Sequence, residues 1–218
     1  MRWVVSALCA DRPNPPVMRR LALILLFISL LPGLANARAY PSIFNSKEFA
    51  NQGIKKFPKW VDMLARWHNA APCDDDECTT DGWQDLLDDL RDKDRLTQIK
   101  EVNRYFNGLR YIIDMKNWGV EDYWATPYQF LKMDGDCEDY AIAKFMALKA
   151  LGIPPEDMRV LALRDLNLNV GHAVLIVYDG DTPLLLDNQI KTVVPANTVK
   201  HYMPIFSLSE TGWWLHRR

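Results

Sequence analysis

The chain has 218 residues, of which 49% are hydrophobic, and its 26 basic and 28 acidic side chains give a formal net charge of −2. This length and composition suit a globular domain with a substantial core. Because the charge is close to balanced and no basic patch stands out, we expect no nucleic acid partner.

Residues 1–37 have the pattern of a secretory signal peptide. The basic pair Arg19-Arg20 precedes an apolar run over 21–34, and Ala35-Asn36-Ala37 offers a small-residue cleavage site. The run is shorter than the about 20 residues of a membrane span. We therefore expect cleavage, with an uncleaved anchor as the alternative reading. Met18 directly precedes the basic pair, so an upstream start codon is one explanation for residues 1–17.

The mature chain would then be one exported domain over 38–218, with three cysteines. An odd number of cysteines in an exported protein leaves one free thiol. Cys73 and Cys78 flank an acidic loop, and a local disulfide between them is favoured over a zinc site, for which His68 is the single further ligand candidate. Cys137 is the thiol left over.

The first half of the mature chain shows helical periodicity. A broken helical pattern over 47–70 improves from Pro58 onward, and Thr126 with Pro127 has the pattern of a helix start. The apolar run after Cys137 ends at Gly152, which places Cys137 in the first turn of a helix. Helices are predicted over 47–70, 82–93, 96–113, from 127 onward and over 137–151.

The second half of the chain has the period of strands. Two predicted strands, 173–178 and 182–187, are joined by a tight turn over 179–181 and form a hairpin. The other strand candidates are 159–163, 193–194, 203–208 and 212–215. The predicted architecture is α+β, with helices first and an antiparallel sheet after them.

Cys137 stands among four carboxylates, a combination that predicts a cation site. Unpaired backbone N–H groups at a helix start favour the thiolate, whereas neighbouring acids raise the pKa of a thiol. A bound calcium ion, which prefers oxygen ligands, would offset the acids. An EF-hand is excluded because its sixth position requires glycine. The alternative is ordinary capping of the helix by acids in its first turn. The candidate ligands are Asp134, Asp136, Glu138 and Asp139.

His172 and Asp187 are candidates for the two groups that assist a catalytic thiol. Such a thiol needs a base to take its proton and a third group to orient the base. His172 opens one strand of the predicted hairpin and Asp187 closes the other, so the hairpin brings them close together. Taken singly, each residue also fits a structural role: a buried inert thiol at Cys137, a structural histidine, and an aspartate that caps a turn.

The oxyanion hole is expected to include the backbone N–H of Cys137, since this residue heads a helix. Trp124 is a candidate for the second donor, with packing in the core as the equal alternative. The remaining histidines have no such neighbours and are expected to be structural or solvated.

Three segments carry a family resemblance: Gly-Asp-Cys-Glu-Asp-Tyr-Ala over 135–141, Gly-His-Ala-Val over 171–174 and Leu-Asp-Asn over 186–188. They resemble the bacterial transglutaminase-like cysteine proteinases, in particular the LapG type of periplasmic protease. The resemblance implies a papain-like/transglutaminase-like core, in which the nucleophile helix packs on the antiparallel sheet. It implies Cys137 as nucleophile, His172 as base and Asp187 as orienter, and a calcium site with Asp136 and Glu138 as its first ligands.

The same resemblance implies a biological role. It describes a calcium-dependent endopeptidase in the periplasm that cleaves a large repeat-containing surface adhesin near its amino terminus and so promotes biofilm dispersal. The implied partner is an inner-membrane receptor that binds cyclic di-GMP and sequesters the protease.

Three other readings stay open at this point. The first is acyl transfer to an amine, as in transglutaminases. The second is a peptidoglycan peptidase, although those enzymes usually have Asp-Cys-Ser-Gly around the thiol where this chain has Asp-Cys-Glu-Asp. The third is a calcium-binding adaptor without turnover.

Overall fold

One sheet of seven antiparallel strands organises the molecule. The computed structural model describes residues 40–69 and 77–217. The strands are β1 (Lys47–Gln52), β2 (Met158–Asp165), β3 (Val170–Asp179), β4 (Thr182–Leu186), β5 (Val194–Pro195), β6 (Tyr202–Leu208) and β7 (Gly212–Arg217). Their order across the sheet is β1-β7-β6-β2-β3-β4-β5.

Six α-helices are described, and five of them lie between β1 and the sixth, which carries the predicted nucleophile. They are α1 (Pro58–Asn69), α2 (Trp83–Leu90), α3 (Arg95–Phe106), α4 (Asp114–Asn117), α5 (Pro127–Met133) and α6 (Cys137–Ala150). Helix α5 begins as predicted, because the Thr126 hydroxyl accepts from the Gln129 N–H while the Gln129 side chain accepts from the Thr126 N–H.

Helix α6 packs on β3 and β2 of the sheet and on the helices α3 and α5. Almost its whole length is buried, from Asp139 to Leu148. The residues that alternate along β3 divide between two apolar clusters: Leu175 and Val177 pack with the helices, whereas Val174 and Ile176 pack with Phe44 and Tyr202 on the other face of the sheet. The α+β class with a helix packed on an antiparallel sheet is confirmed.

Two predicted helices differ from the structure. The segment 47–52 is the edge strand β1, which pairs with β7 from Lys47 opposite Arg217 to Gln52 opposite Gly212. The helix predicted over 96–113 ends at Phe106, and Tyr111 then forms a parallel bridge with Gly135. In both segments a partner distant in sequence overrides the local helical pattern.

Two expectations concern residues outside the described part of the chain. The predicted signal peptide and its predicted cleavage site fall there, as does Cys73, although Cys78 is disulfide-bonded. Within the described residues, no helix is both long and apolar enough to cross a membrane.

Candidate active site

The start of α6 is held by a buried aspartate in its first turn. Asp139 accepts hydrogen bonds from the backbone N–H of Ala125 at 2.8 Å and of Asp136 at 3.2 Å. Its carboxylate therefore links the segment that precedes α5 to the start of α6. Gly135 leaves room for the Asp139 carboxylate, because a Cβ at position 135 would collide with it. These contacts fix the turn in which Cys137 lies.

The β3–β4 hairpin joins His172 to Asp187. Leu186 at the end of β4 pairs with Leu175 in β3, so Asp187 is the first residue beyond the ladder. His172 Nε2 lies 2.9 Å from Asp187 Oδ1, and both side chains are buried. Burial alone would raise the pKa of Asp187, but the hydrogen bond and the charge of His172 outweigh it and lower that pKa.

The thiol of Cys137 lies beside the same strand. The backbone N–H of Ala173, the residue after His172, faces its sulfur and lowers the pKa of the thiol. Since Nε2 of His172 is engaged by Asp187, Nδ1 is the ring nitrogen available for proton exchange. The structure therefore gathers the three predicted catalytic residues where α6 meets β3, and Cys137 is the free cysteine of the described chain.

Five carboxylates gather at the start of α6 and form what we call the acidic cluster: Asp114, Asp122, Asp136, Glu138 and Asp139. In three overlapping groups their ligand atoms lie within 4.8 Å of one another, and one of these groups includes the Cys137 sulfur. Asp114 Oδ1 and Asp136 Oδ1 are buried and have no hydrogen-bond partner in the described chain. Unpaired buried carboxylate oxygens are costly, and they are the ligands that a hard divalent cation such as calcium prefers. The donor set fits such an ion.

Charge repulsion in the acidic cluster is strong. Burial, followed by the hydrogen bond with Asp136 and the charges of neighbouring acids, raises the pKa of Glu138 to about 10; burial likewise raises that of Asp114 to about 6. Burial first, and then the charge of Glu138, also raises the pKa of the Cys137 thiol, which donates to Glu138 Oε2 at 3.2 Å. The acids thus raise the pKa of the Cys137 thiol as expected, and burial raises it further.

The four carboxylates proposed as ligands from sequence have different surroundings. Asp136, Glu138 and Asp139 belong to the acidic cluster. Asp134 lies outside those groups: its carboxylate accepts from the backbone N–H of Arg110 at 3.0 Å and from the Arg110 guanidinium at 2.8 Å. Asp134 also has a positive φ of 59°, so this double contact holds an uncommon turn before Gly135.

Sequence reasoning missed three residues of the site. Asp114 and Asp122 join the acidic cluster from the segment around α4, and Tyr202 on β6 donates to Asp187 Oδ2 at 2.7 Å. No local pattern marks them, because each reaches α6 or Asp187 only through tertiary packing. The indole of Trp124, a candidate oxyanion donor, instead donates to Asp122 Oδ1 at 2.9 Å.

Solved structures of similar proteins come from Legionella pneumophila. Its LapG is 34% identical to this chain, with a TM-score of 0.56, over 61% of this chain and 75% of that one. A calcium-bound structure of the same protein gives 29% identity and a TM-score of 0.58, over 71% of this chain and 86% of that one. An EGTA-treated form gives 34% identity and a TM-score of 0.56, over 61% and 73%. No curated protein sequence matches the chain.

The sequence model of one protein family, described as bacterial transglutaminase-like cysteine proteinase, matches residues 66–217. That span contains α2 to α6, all strands from β2 onward and every residue of the site described above. The match agrees with the fold, in which a cysteine heads a buried helix that packs on an antiparallel sheet. The chain therefore belongs to the bacterial transglutaminase-like cysteine proteinases and is a cysteine protease.

Proposed function

We propose that this protein is a calcium-dependent periplasmic cysteine endopeptidase that cleaves the amino-terminal region of a large surface adhesin. The observation that carries the proposal is the hydrogen-bonded His172–Asp187 pair beside the thiol of Cys137, with unpaired carboxylate oxygens in the adjoining acidic cluster. A thiol, an oriented imidazole and a cation site are the parts that this activity requires.

The catalytic steps follow from the positions of the three groups. Nδ1 of His172 takes the thiol proton, and the Cys137 sulfur attacks the carbonyl carbon of the scissile peptide bond. The backbone N–H of Cys137 stabilises the oxyanion, and the imidazolium returns its proton to the leaving amine, which departs with the first product. Water then attacks the thioester, gives its proton to His172 and releases the second product as a carboxylic acid. Asp187 stays ionised and holds the imidazole throughout.

Calcium would be held by Asp114, Asp136 and Glu138, with Asp122 and Asp139 beside them. When bound, the ion would supply positive charge that offsets the acids and fixes the turn before Cys137. Two observations support calcium: the unpaired oxygens of Asp114 and Asp136, and the calcium-bound form of the similar Legionella protein.

The adhesin substrate, its release in biofilm dispersal and control by an inner-membrane cyclic di-GMP receptor are proposed from the family resemblance of the sequence. Export to the periplasm is proposed from the signal pattern over 1–37. A fractionation experiment tests the location: the processed protein should appear in the periplasmic fraction, and recovery of the full-length chain in the cytoplasm would contradict export.

The decisive activity experiment uses the amino-terminal fragment of a large adhesin from the same organism. Wild-type protein with calcium should cut the fragment once, whereas Cys137→Ala should leave it intact and excess EGTA should stop the wild-type reaction. An intact fragment with the wild-type protein in calcium would refute the substrate proposal. Full activity in excess EGTA would refute calcium dependence. Incorporation of an added primary amine at the cut end would instead indicate acyl transfer.

A further inference from the structure

The carboxylate of Asp187 is held at both oxygens, and one of its partners is a tyrosine from another part of the sheet. Oδ1 lies 2.9 Å from His172 Nε2 and accepts from the backbone N–H of Gln189 at 2.9 Å. Oδ2 accepts from the hydroxyl of Tyr202 at 2.7 Å. Asp187 and Tyr202 are each only 1% exposed, so these contacts are shielded from water.

Packing fixes the position of the Tyr202 ring. The ring lies edge-on to Phe44, with 6.0 Å between centroids, and its centroid is 5.8 Å from that of the His172 imidazole. Burial, and then the hydrogen bond to Asp187, raises the pKa of the Tyr202 hydroxyl, so this group stays protonated and remains a donor.

We propose that Tyr202 is a positioning residue of the protease, whose hydroxyl fixes the Asp187 carboxylate so that Oδ1 meets Nε2 of His172. This proposal rests on the catalytic roles assigned under the proposed function. With its Nε2 proton directed to Asp187, the imidazole presents an unprotonated Nδ1 to the thiol. Without the hydroxyl, Oδ2 would be buried and unpaired, and the carboxylate could rotate away from the imidazole.

The chain offers a matched control for the loss of a buried tyrosine hydroxyl. Tyr178 on β3 is 0% exposed and belongs to the same apolar cluster as Tyr202. Its hydroxyl has no hydrogen-bond partner among the described residues. Tyr178→Phe therefore removes the same atom from the same core without touching Asp187.

The first test needs no substrate and so does not depend on the adhesin proposal. Calcium-loaded protein with 15N-labelled histidine reports the tautomer of His172 and the strength of its Nε2–H hydrogen bond by NMR. Tyr202→Phe should shift the His172 nitrogen signals, whereas Tyr178→Phe should leave them unchanged. Equal spectra for the two variants would overturn the proposal. If Tyr202→Phe does not fold, 3-fluorotyrosine at position 202 keeps the ring and makes the hydroxyl a stronger donor; unchanged His172 signals would then overturn it.

The second test uses a peptide that the wild-type protein cleaves. Tyr202→Phe should lower kcat about 10- to 100-fold, the effect expected for the loss of one hydrogen bond to a charged group, with KM unchanged. In an Asp187→Ala background the same substitution should have no further effect, because Tyr202 acts through Asp187. An undiminished effect in that background would show that Tyr202 supports packing alone and would refute the proposal.

Discussion

At the scale of single residues, the carboxylates of the acidic cluster lower the stability of the fold when nothing neutralises them. Asp114, Asp136 and Asp139 are buried close together, and burial raises the pKa of all three carboxyl groups. Buried like charges destabilise a fold unless a cation or a proton neutralises them. The cluster is therefore better explained by ion binding than by the capping of a helix, which needs one or two acids.

The first prediction concerns Asp114, which sequence reasoning did not identify. We expect Asp114→Asn to weaken calcium binding at least about 10-fold, since an ionised ligand is replaced by a neutral one. The Asn oxygen can still accept the hydrogen bond from the Tyr123 N–H, so the fold is retained. Isothermal titration of calcium into each variant measures the effect. Asp85→Asn, which changes an exposed acid on α2, is the matched control; equal affinity in the two variants would contradict a ligand role for Asp114.

The second prediction concerns Gly135. We expect Gly135→Ala to lower the free energy of unfolding by about 1–3 kcal/mol, the usual range for overpacking, because the new Cβ collides with the Asp139 carboxylate. Denaturant unfolding measures this change. Gly171→Ala is the comparison, since a Cβ there meets no atom within 4 Å. A loss of equal size in both variants would point to a general effect of glycine replacement.

At the scale of elements, a buried histidine on β7 joins β6 to the residue that precedes β1. His216 on β7 lies 2.8 Å from the Ser46 hydroxyl through Nδ1 and 2.9 Å from the Ser207 hydroxyl through Nε2. Because the Ser46 hydroxyl donates to the Ile43 carbonyl, it accepts from Nδ1, and Ser207 donates to Nε2. The ring is therefore a neutral Nδ1–H tautomer. Burial lowers the pKa of His216 to about 4.

The third prediction is a loss of stability in mild acid. An unfolded histidine titrates near pH 6.5, whereas His216 in the fold takes up a proton only near pH 4. The contribution of His216 to the free energy of unfolding is therefore complete above pH 6.5 and decreases as the pH falls toward 4. Between pH 7 and pH 5 the loss should be about 2 kcal/mol. Urea unfolding at both values measures it.

The control for this prediction is His216→Asn, which keeps hydrogen-bonding groups and does not titrate. Glu48 and Arg159, the charged neighbours of His216, are unchanged in this variant. The difference between the stability lost by the wild type and by the variant separates the contribution of His216 from that of the other titratable groups of the protein. If both lose the same stability between pH 7 and pH 5, the assignment to His216 is wrong.

Local signals were sufficient for some elements and insufficient for others. The starts of α5 and α6 and the β3–β4 hairpin follow from caps, prolines and a tight turn that act within a few residues. Strand β1 was missed because its pairing partner is β7, at the other end of the chain. The segment after Phe106 was mistaken for helix because its bridge to Gly135 leaves no local pattern.

The same distinction applies to the site. Cys137, Glu138, His172 and Asp187 lie in short motifs whose chemistry can be read directly. Tyr202 and Asp114 reach the site only through tertiary packing, and a lone tyrosine or aspartate carries no signal of its partner. The pairing of Asp134 with Arg110 is likewise invisible in sequence, since the two residues are 24 positions apart.

At the scale of the whole molecule, the acidic cluster connects two separate segments of the chain. Asp114 and Asp122 come from the segment around α4, whereas Asp136, Glu138 and Asp139 come from the start of α6. An ion held by both segments would cross-link them in the folded state alone. Unfolding would separate the ligands and release the ion, so binding and folding are coupled.

The last prediction follows from this coupling. Calcium at about 100 times its dissociation constant should raise the free energy of unfolding by about 2.7 kcal/mol, and EGTA should remove the gain. Thermal or urea unfolding of the inactive Cys137→Ala variant measures this without self-cleavage. Adding Asp114→Asn should reduce the gain at the same calcium concentration, whereas adding Asp85→Asn should preserve it. An equal gain in both double variants would place the stabilising ion outside the acidic cluster, because Asp114 is the buried carboxylate that brings the α4 segment to the start of α6.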